Sequence, residues 1–242
     1  MITYGDSEWA WCNVVASIEK AILRHGAKRI LEVGAGANPT FAKEFLDKHG
    51  LEYTALDISP SELDKAPDCY HKVVADICAE HLDIGQKFDF VFSRMLAEHV
   101  PNGEVFHRNV FHLLAPGGVA FHFFPTMWAP PFVLNRLLPE QVAEAILHTI
   151  QPGRAKEGKH AKFPAYYSWC RGPMTSQIER LERLGYRIQS YEAFFGHRGY
   201  YAKFPPVQRV HDALCKWLIA HPIPSLTSFA HLTLVRPGVA QH

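Results

Sequence analysis

"RILEVGAGANPTFAKEFLDKHG", residues 29–50, changes its period partway through. Residues 29–33 are an apolar run interrupted by one acid, Glu32, and read as a buried strand. Gly34 and Gly36 follow, one residue apart, and from 39 to 50 the apolar positions recur at helical spacing. A turn that leaves a buried strand and enters a helix aims backbone N–H groups and the positive helix end into one crevice at the edge of a sheet. Two glycines there let a ligand lie against bare backbone. The pattern opens as G-x-G, but the third glycine of a dinucleotide fingerprint falls at position 39, where Pro39 stands. Asn38-Pro39 reads instead as a helix cap and first helical residue, which weighs against a nicotinamide dehydrogenase.

Outward from this stretch, strand-like and helix-like runs alternate to about residue 124. Strands are expected at 53–58 ("YTALDI"), 71–77 ("HKVVADI"), 88–94 ("FDFVFSR") and 119–124 ("VAFHFF"). A helix is expected around 102–114, followed by a turn "APGG" at 115–118. Near-continuous apolar strands alternating with helices indicate a parallel sheet covered on both faces, a doubly wound α/β architecture. Beyond 124 the rhythm breaks. Two apolar helical pieces flank Pro139, and 151–165 is a basic, glycine-containing loop. The alternation then resumes with a helix at 173–186, a strand at 187–196, a helix at 206–221 and a strand at 228–237.

The 242 residues, 48% hydrophobic, are enough for one fully buried core, so a single domain over 1–242 is expected, with an insert at 125–172 forming a substrate cover. A net charge of +1 supplies no general field for nucleic acid, and none is expected as a partner. Five scattered cysteines without a C-x-x-C pair, and a start without signal-peptide features, read as a cytoplasmic protein with reduced thiols. No apolar run approaches the roughly 20 residues of a membrane span. The amphipathic 213–221 leaves peripheral contact with lipid or a partner chain open beside plain core packing. Sequence leaves the oligomeric state unknown.

Three acids stand at the ends of successive strands. Asp57 lies 25 positions after Glu32, where a carboxylate can accept hydrogen bonds from a ribose diol. Asp76, beside Ile77, can accept from an adenine amine while Ile77 packs on the ring. Together these segments resemble the class I S-adenosylmethionine-dependent methyltransferases of the ubiquinone/menaquinone-methyltransferase-like type. "ILEVGAG", "ALDIS", "VVADI", "FDFVFSRMLAEHV" and "LLAPGG" stand for its five motifs in order. The resemblance implies a Rossmann-like sheet of about seven strands with the last antiparallel, and S-adenosyl-L-methionine as cofactor. It implies that Glu32, Gly34 and Gly36 hold the methionine part, that Asp57 and Ile58 border the ribose, and that Asp76 and Ile77 take the adenine. Ser93, Arg94 and Met95 would lie between cofactor and acceptor.

Methyl transfer to a hydroxyl needs alignment and a base, and histidine is the usual side chain for the proton. His99, after the fourth strand of the alternating region, and His197, read as facing the mouth of the sheet, are the catalytic candidates. His122 reads as a buried, structural histidine. In "FPAYYSWCRGP", Tyr166, Tyr167, Trp169 and Arg171 are candidates for the acceptor, with Phe163 beside them; Arg154, Lys156, Lys159 and Lys162 offer charge for an anionic group. No Cys/His spacing or acidic triad points to a metal. The sequence thus reads as O-methylation of a small polar acceptor, such as a carbohydrate or other metabolite. N-methylation of a metabolite, protein or RNA, and a non-catalytic cofactor-binding subunit, stay open.

Overall fold

The computed structural model describes residues 1–127, 164–197 and 205–238. The sheet has eight strands: β1 (Ile2–Asp6), β2 (Arg29–Val33), β3 (Glu52–Asp57), β4 (His71–Val74), β5 (Phe88–Arg94), β6 (Leu114–Pro125), β7 (Arg187–Phe195) and β8 (Phe229–Val235). Their order is β1-β7-β8-β6-β5-β2-β3-β4, with β8 antiparallel to both its neighbours and the other pairings parallel. The expected count of about seven is one short, because β1 adds in parallel to the outer side of β7. Its "ITYGD" is only partly buried, so no apolar run announces it.

Period two in the strands sends alternate side chains to opposite faces. Leu31, Val91, Ala120 and Leu232 join one core with Phe106 and Val110 of α4 (Gly103–Leu113) and Leu181 of α5 (Thr175–Arg183). Ile30, Phe90, Phe92 and Phe121 join the other with Ala10, Val14, Ile18 and Ile22 of α1 (Ser7–Arg24). The last helix, α6 (Pro205–Ala220), sets Cys215 and Leu218 against Phe195, while Leu214 and Trp217 stay 52% and 51% exposed. The 213–221 segment therefore packs on one side and is open on the other. Among the described residues no helix is long and apolar enough to cross a membrane.

Two local expectations change. The helix read at 39–50 is shorter: α2 spans Lys43–His49, its N-cap is Ala42, and Asn38-Pro39 lie in the loop before it. The cause is Glu32, whose carboxylate accepts from both the backbone N–H and the hydroxyl of Thr40 and so holds the chain off the helical path. The "APGG" turn lies inside β6, since Phe88 pairs with Leu114 and Phe90 with Val119; the intervening residues form a bulge with Gly117 at φ 82°. The helices read on either side of Pro139, the loop at 151–165 and most of the 125–172 insert lie outside the described residues.

Candidate functional site

The strand order reverses direction at β2. The chain runs outward through β3 and β4, then returns to pair β5 with the other side of β2. In open α/β sheets the crevice at the carboxyl end of such a switch point is where ligands sit. Val33 pairs with Ser93, so the glycine turn after β2 and the segment after β5 face each other across this crevice.

On the β2–β4 side, the turn is fastened to β3. Gly34 and Ala35 both donate to the Leu56 carbonyl, at 2.8 and 3.2 Å, and Gly36 donates to Asp57 Oδ2 at 2.9 Å. The two glycines serve different purposes. A Cβ on Gly34 would come within 2.8 Å of Leu96 Cδ1, so its smallness admits a protein side chain. A Cβ on Gly36 would find only Asp57 Oδ2, at 3.8 Å, so the open backbone expected for a ligand is at Gly36. Asp57 accepts from Gly36 on one oxygen and from Ser59 on the other. Each carboxylate oxygen keeps a further lone pair, and the residue is half-buried, so it can still accept from a diol.

Asp76 lies two residues beyond the end of β4, exposed, with Oδ1 accepting from Cys78 N at 2.8 Å. Ile77 is 6% exposed, and its carbonyl, with that of Ala79, accepts from the Asn109 amide on α4 at 2.7 and 2.9 Å. Ile58 is open, at 59% exposed. Glu32 is placed otherwise than expected. It is 2% exposed, accepts from Thr40 and from the Tyr53 hydroxyl, and lies 3.8 Å from Arg94 Nε. Its charge organises the turn from beneath, and burial together with Glu32 raises the Tyr53 phenol.

Past β5, Ser93 is fully buried, its hydroxyl 2.8 Å from His122 Nδ1, so it points into the core and away from the crevice. Met95 takes a left-handed backbone, φ 50°, and donates to the Phe123 carbonyl, which turns the chain sharply into the 3₁₀ turn Ala97–His99. A strap, residues 164–172, lies across this turn. Tyr166 N and Tyr167 N both donate to the Glu98 carbonyl, at 2.7 and 3.0 Å. His99 Nδ1 is 3.0 Å from the Pro164 carbonyl, and Gly103 N donates to Ser168 Oγ. Tyr167 and Trp169 hold positive φ, 51° and 61°, and Gly172 packs so closely that a Cβ would overlap the Pro224 carbonyl.

Of the four acceptor candidates on the strap, Tyr166 is 47% exposed. Trp169 is half-buried, with the His107 ring 5.9 Å away and the Arg180 guanidinium 5.8 Å from its ring centre. Arg171 donates to the carbonyls of Tyr167 and Cys170 and braces its own strap, on which Tyr167 is half-buried. His99 stands at the carboxyl end of β5 with its side chain 34% exposed. His197 does not face the mouth. It is 5% exposed, and its own N–H donates to His211 Nε2. Burial, with His211 adding, lowers its imidazole to about 3. It follows β7, three strands from β5, roughly 14 Å at about 4.8 Å per strand.

Two residues of this region were not singled out from the sequence. Asn109 is a polar residue on the apolar stripe of α4, beside buried Phe106 and Val110, and that misplacement was a usable signal. Glu98 is 3% exposed, and burial pushes its carboxyl up to about 7; a lone acid in a 3₁₀ turn has no periodicity to mark it as buried.

The geometry meets a consistent set of likenesses. A family model described as a methyltransferase domain matches residues 10–184. The ubiquinone biosynthesis O-methyltransferase of Coxiella burnetii is 34% identical over 110 residues, 43% of this chain and 46% of that protein. The chain thus matches less than half the length of the curated relatives it resembles. Among solved structures, phosphoethanolamine N-methyltransferase 2 of Haemonchus contortus with S-adenosyl-L-methionine superposes at a TM-score of 0.54 and 18% identity, over 93% of this chain and 52% of that one. An S-adenosylmethionine-dependent methyltransferase of Mesorhizobium loti superposes at 0.52 and 18% identity, over 92% of this chain and 100% of that one. At such identities the structural likenesses speak to the fold.

Proposed function

The chain belongs to the class I S-adenosylmethionine-dependent methyltransferases, and from that membership we propose O-methylation of a small polar acceptor, a carbohydrate or other metabolite, with His99 as the base. The carrying observation is the placement of His99: a half-exposed imidazole at the carboxyl end of β5, under a strap bearing the exposed Tyr166. A backbone carbonyl can only accept, so the 3.0 Å contact with Pro164 requires a proton on Nδ1. In the neutral ring the lone pair then sits on Nε2, the atom that would take the acceptor's proton. The O-methyl transfer for which the Coxiella relative is named supports a hydroxyl acceptor.

The cofactor's fit rests on the open backbone at Gly36, the half-buried Asp57 with lone pairs to spare, and Ile58 and Asp76 exposed on the same edge. When bound, S-adenosylmethionine supplies an electrophilic methyl on a sulfonium that leaves as a neutral thioether. Asp57 would hold its ribose and Asp76 its adenine, with Met95 and Arg94 at the boundary to the acceptor. The strap excludes water and orients the acceptor, and alignment of this kind contributes most of what the transfer needs. The 125–172 insert acts in this reading as the substrate cover.

The test is turnover of radiolabelled methyl groups into a panel of hydroxylated acceptors. His99→Gln is expected to lower the rate by roughly 10²–10⁴-fold, the usual range for a general base, with cofactor affinity unchanged by calorimetry. Near-normal turnover in His99→Gln would overturn the base; exclusive labelling of amines would overturn the hydroxyl.

A further inference from the structure

We propose that the guanidinium of Arg94, rather than Glu32, secures the amino-acid end of the cofactor, by pairing with its carboxylate. The proposal rests on the cofactor placement given above and adds an anchor for the anionic group that Asp57 and Asp76, themselves anions, cannot hold.

The resemblance assigns the amino-acid end to Glu32 and the two glycines, but Glu32 is in no position to take it. Its carboxylate is 2% exposed and already accepts from the Thr40 N–H, the Thr40 hydroxyl and the Tyr53 hydroxyl. Gly34 has Leu96 where a Cβ would stand. What reaches the crevice from this cluster is Arg94. Its Nε is buried, makes no hydrogen bond and lies 3.8 Å from Glu32 Oε1, while the side chain as a whole is 31% exposed. Among the described residues Glu32 is its ion-pair partner, and nothing takes up the terminal nitrogens, which carry all but one of the guanidinium's N–H donors. An arginine fixed on its inner side by a buried acid and open on its outer side is a preorganised fork, to which a carboxylate can bind through two parallel N–H bonds.

Register puts the fork where the amino-acid end would lie. Val33 pairs with Ser93, so Arg94 is level with Gly34, the first residue of the glycine turn. β3, β2 and β5 are consecutive in the sheet, so Asp57 and Arg94 stand two strand spacings apart, roughly 10 Å at about 4.8 Å per strand. A ribose on Asp57 and an extended amino-acid chain running from it across Gly36 cover that width and bring the carboxylate to Arg94. The charges agree with this direction. The last residues of β2, β3, β4 and β5 are Val33, Asp57, Val74 and Arg94, so Arg94 is the one cation among them. With the carboxylate bound, the guanidinium stands between two anions, one built in and one brought by the ligand. The ligand's own ammonium restores the balance.

The experiment compares two ligands that differ only in the group concerned: S-adenosylhomocysteine and its decarboxylated analogue, which keeps the ammonium. Calorimetry on the native full chain is expected to show S-adenosylhomocysteine bound about 10- to 150-fold more tightly, the range for a hydrogen bond to a charged group. Arg94→Gln should lower the affinity for S-adenosylhomocysteine by that same factor and leave the analogue unchanged, so that the variant binds both alike. Arg94→Lys should fall between, since it keeps a charge opposite Glu32 and loses the fork. The lysine variant carries the test alone if Arg94→Gln, which strips Glu32 of its cation, does not fold. Equal losses for both ligands in either variant, or no preference for S-adenosylhomocysteine in the native chain, overturn the assignment. An undiminished preference in Arg94→Gln overturns it too, and is what an arginine serving the acceptor instead would give. Each of these results leaves the cofactor placement standing, since that falls only if Asp57→Ala binds S-adenosylhomocysteine as tightly as the native chain.

Discussion

The two sides of the crevice are built on different principles. On the β2–β4 side the turns are tied by backbone N–H groups to carboxylates at strand ends, as in Gly36 to Asp57, Cys78 to Asp76 and Thr40 to Glu32. On the β5–β8 side the chain is held by side chains from distant segments and by buried histidines: His107, His122, His197 and His231 are all 5% exposed or less. In the proposed function the first side is the cradle for the cofactor, a ligand of constant shape. The second is assembled by tertiary contacts, with the strap fastened to Glu98, His99 and Gly103 across some 65 residues of sequence. In that proposal cofactor recognition rides on local geometry, whereas acceptor chemistry depends on the fold of the whole β5–β8 half.

Acid should break this comparison with the largest effect. Burial lowers His107 and His197 to about 3 and His231 to about 4, against an ordinary 6.5, with His211 adding for His197. The native rings stay neutral while the unfolded ones take protons, so the unfolded state binds more protons throughout the interval. Their contribution to stability is fully present above about pH 6.5 and is lost as pH falls toward 3. Each tenfold difference in proton affinity between the folded and unfolded ring is worth about 1.4 kcal/mol, so the loss is on the order of several kcal/mol. Glu98 runs the other way: its raised carboxyl favours the fold below 4.5, and that share fades as pH rises to about 7. Denaturant midpoints from pH 8 to 4.5 should fall below 6.5, with hydrogen exchange rising first in the strap, β7 and β8. Equal protection loss on both sides would show that they do not differ in this respect.

Next in size is the cradle's own contact. Asp57→Ala removes the charged acceptor proposed for a ribose diol and also releases Gly36 N and Ser59 N. Affinity for S-adenosylhomocysteine should fall by about 1.5–3 kcal/mol, the range for a hydrogen bond to a charged group, roughly 10- to 150-fold by calorimetry. The His99 ring signals in ¹⁵N-histidine NMR should stay where they are. A shift in those signals would mean that the two sides are coupled more tightly than their construction indicates.

The same contrast explains what could be read from sequence. β2, β3 and β5 were legible because their apolar runs are continuous and their turns carry glycine or acid at fixed offsets, and Phe88–Arg94 was expected with its observed bounds. The place of Asp57 at the end of β3 was legible for the same reason, whereas β4 stops at Val74 and leaves Asp76, read as part of the strand, two residues beyond it. Glu32 was legible as an acid in a strand but not in its role, because Thr40, Tyr53 and Arg94 come to it from three different segments. β1 was missed because an edge strand half open to solvent lacks the apolar run that marks the others. On the other side, His197 looked accessible because it follows β7 at the carboxyl edge; its burial is set by α6 through His211, which sequence spacing does not reveal. Trp169 and Arg171 were read as acceptor contacts by residue type; their neighbours in the fold, His107 and Arg180 for the one and the strap's own carbonyls for the other, come from tertiary structure that residue type does not show.

The smallest expected effect tests the element that joins the two sides. α4 meets the strap at its first residue, where Gly103 N donates to Ser168 Oγ, and meets the cradle two turns later, where Asn109 pins the carbonyls of Ile77 and Ala79. Asn109 is 6% exposed and sits behind the proposed adenine loop without facing the crevice, so it acts by fixing backbone. Asn109→Ala removes two hydrogen bonds at about 0.5–1.5 kcal/mol each and leaves two carbonyls to find water. Part of that cost falls on global stability and part on the loop, so cofactor affinity should drop by only about 3- to 10-fold, less than for Asp57→Ala. Amide exchange at residues 75–79 should quicken in the variant, and cofactor should slow it again, because a ligand that needs the ordered loop stabilises it. If Asn109→Ala instead matched Asp57→Ala in affinity loss, the cradle would not be self-sufficient, and α4 would have to be counted as part of the cofactor site.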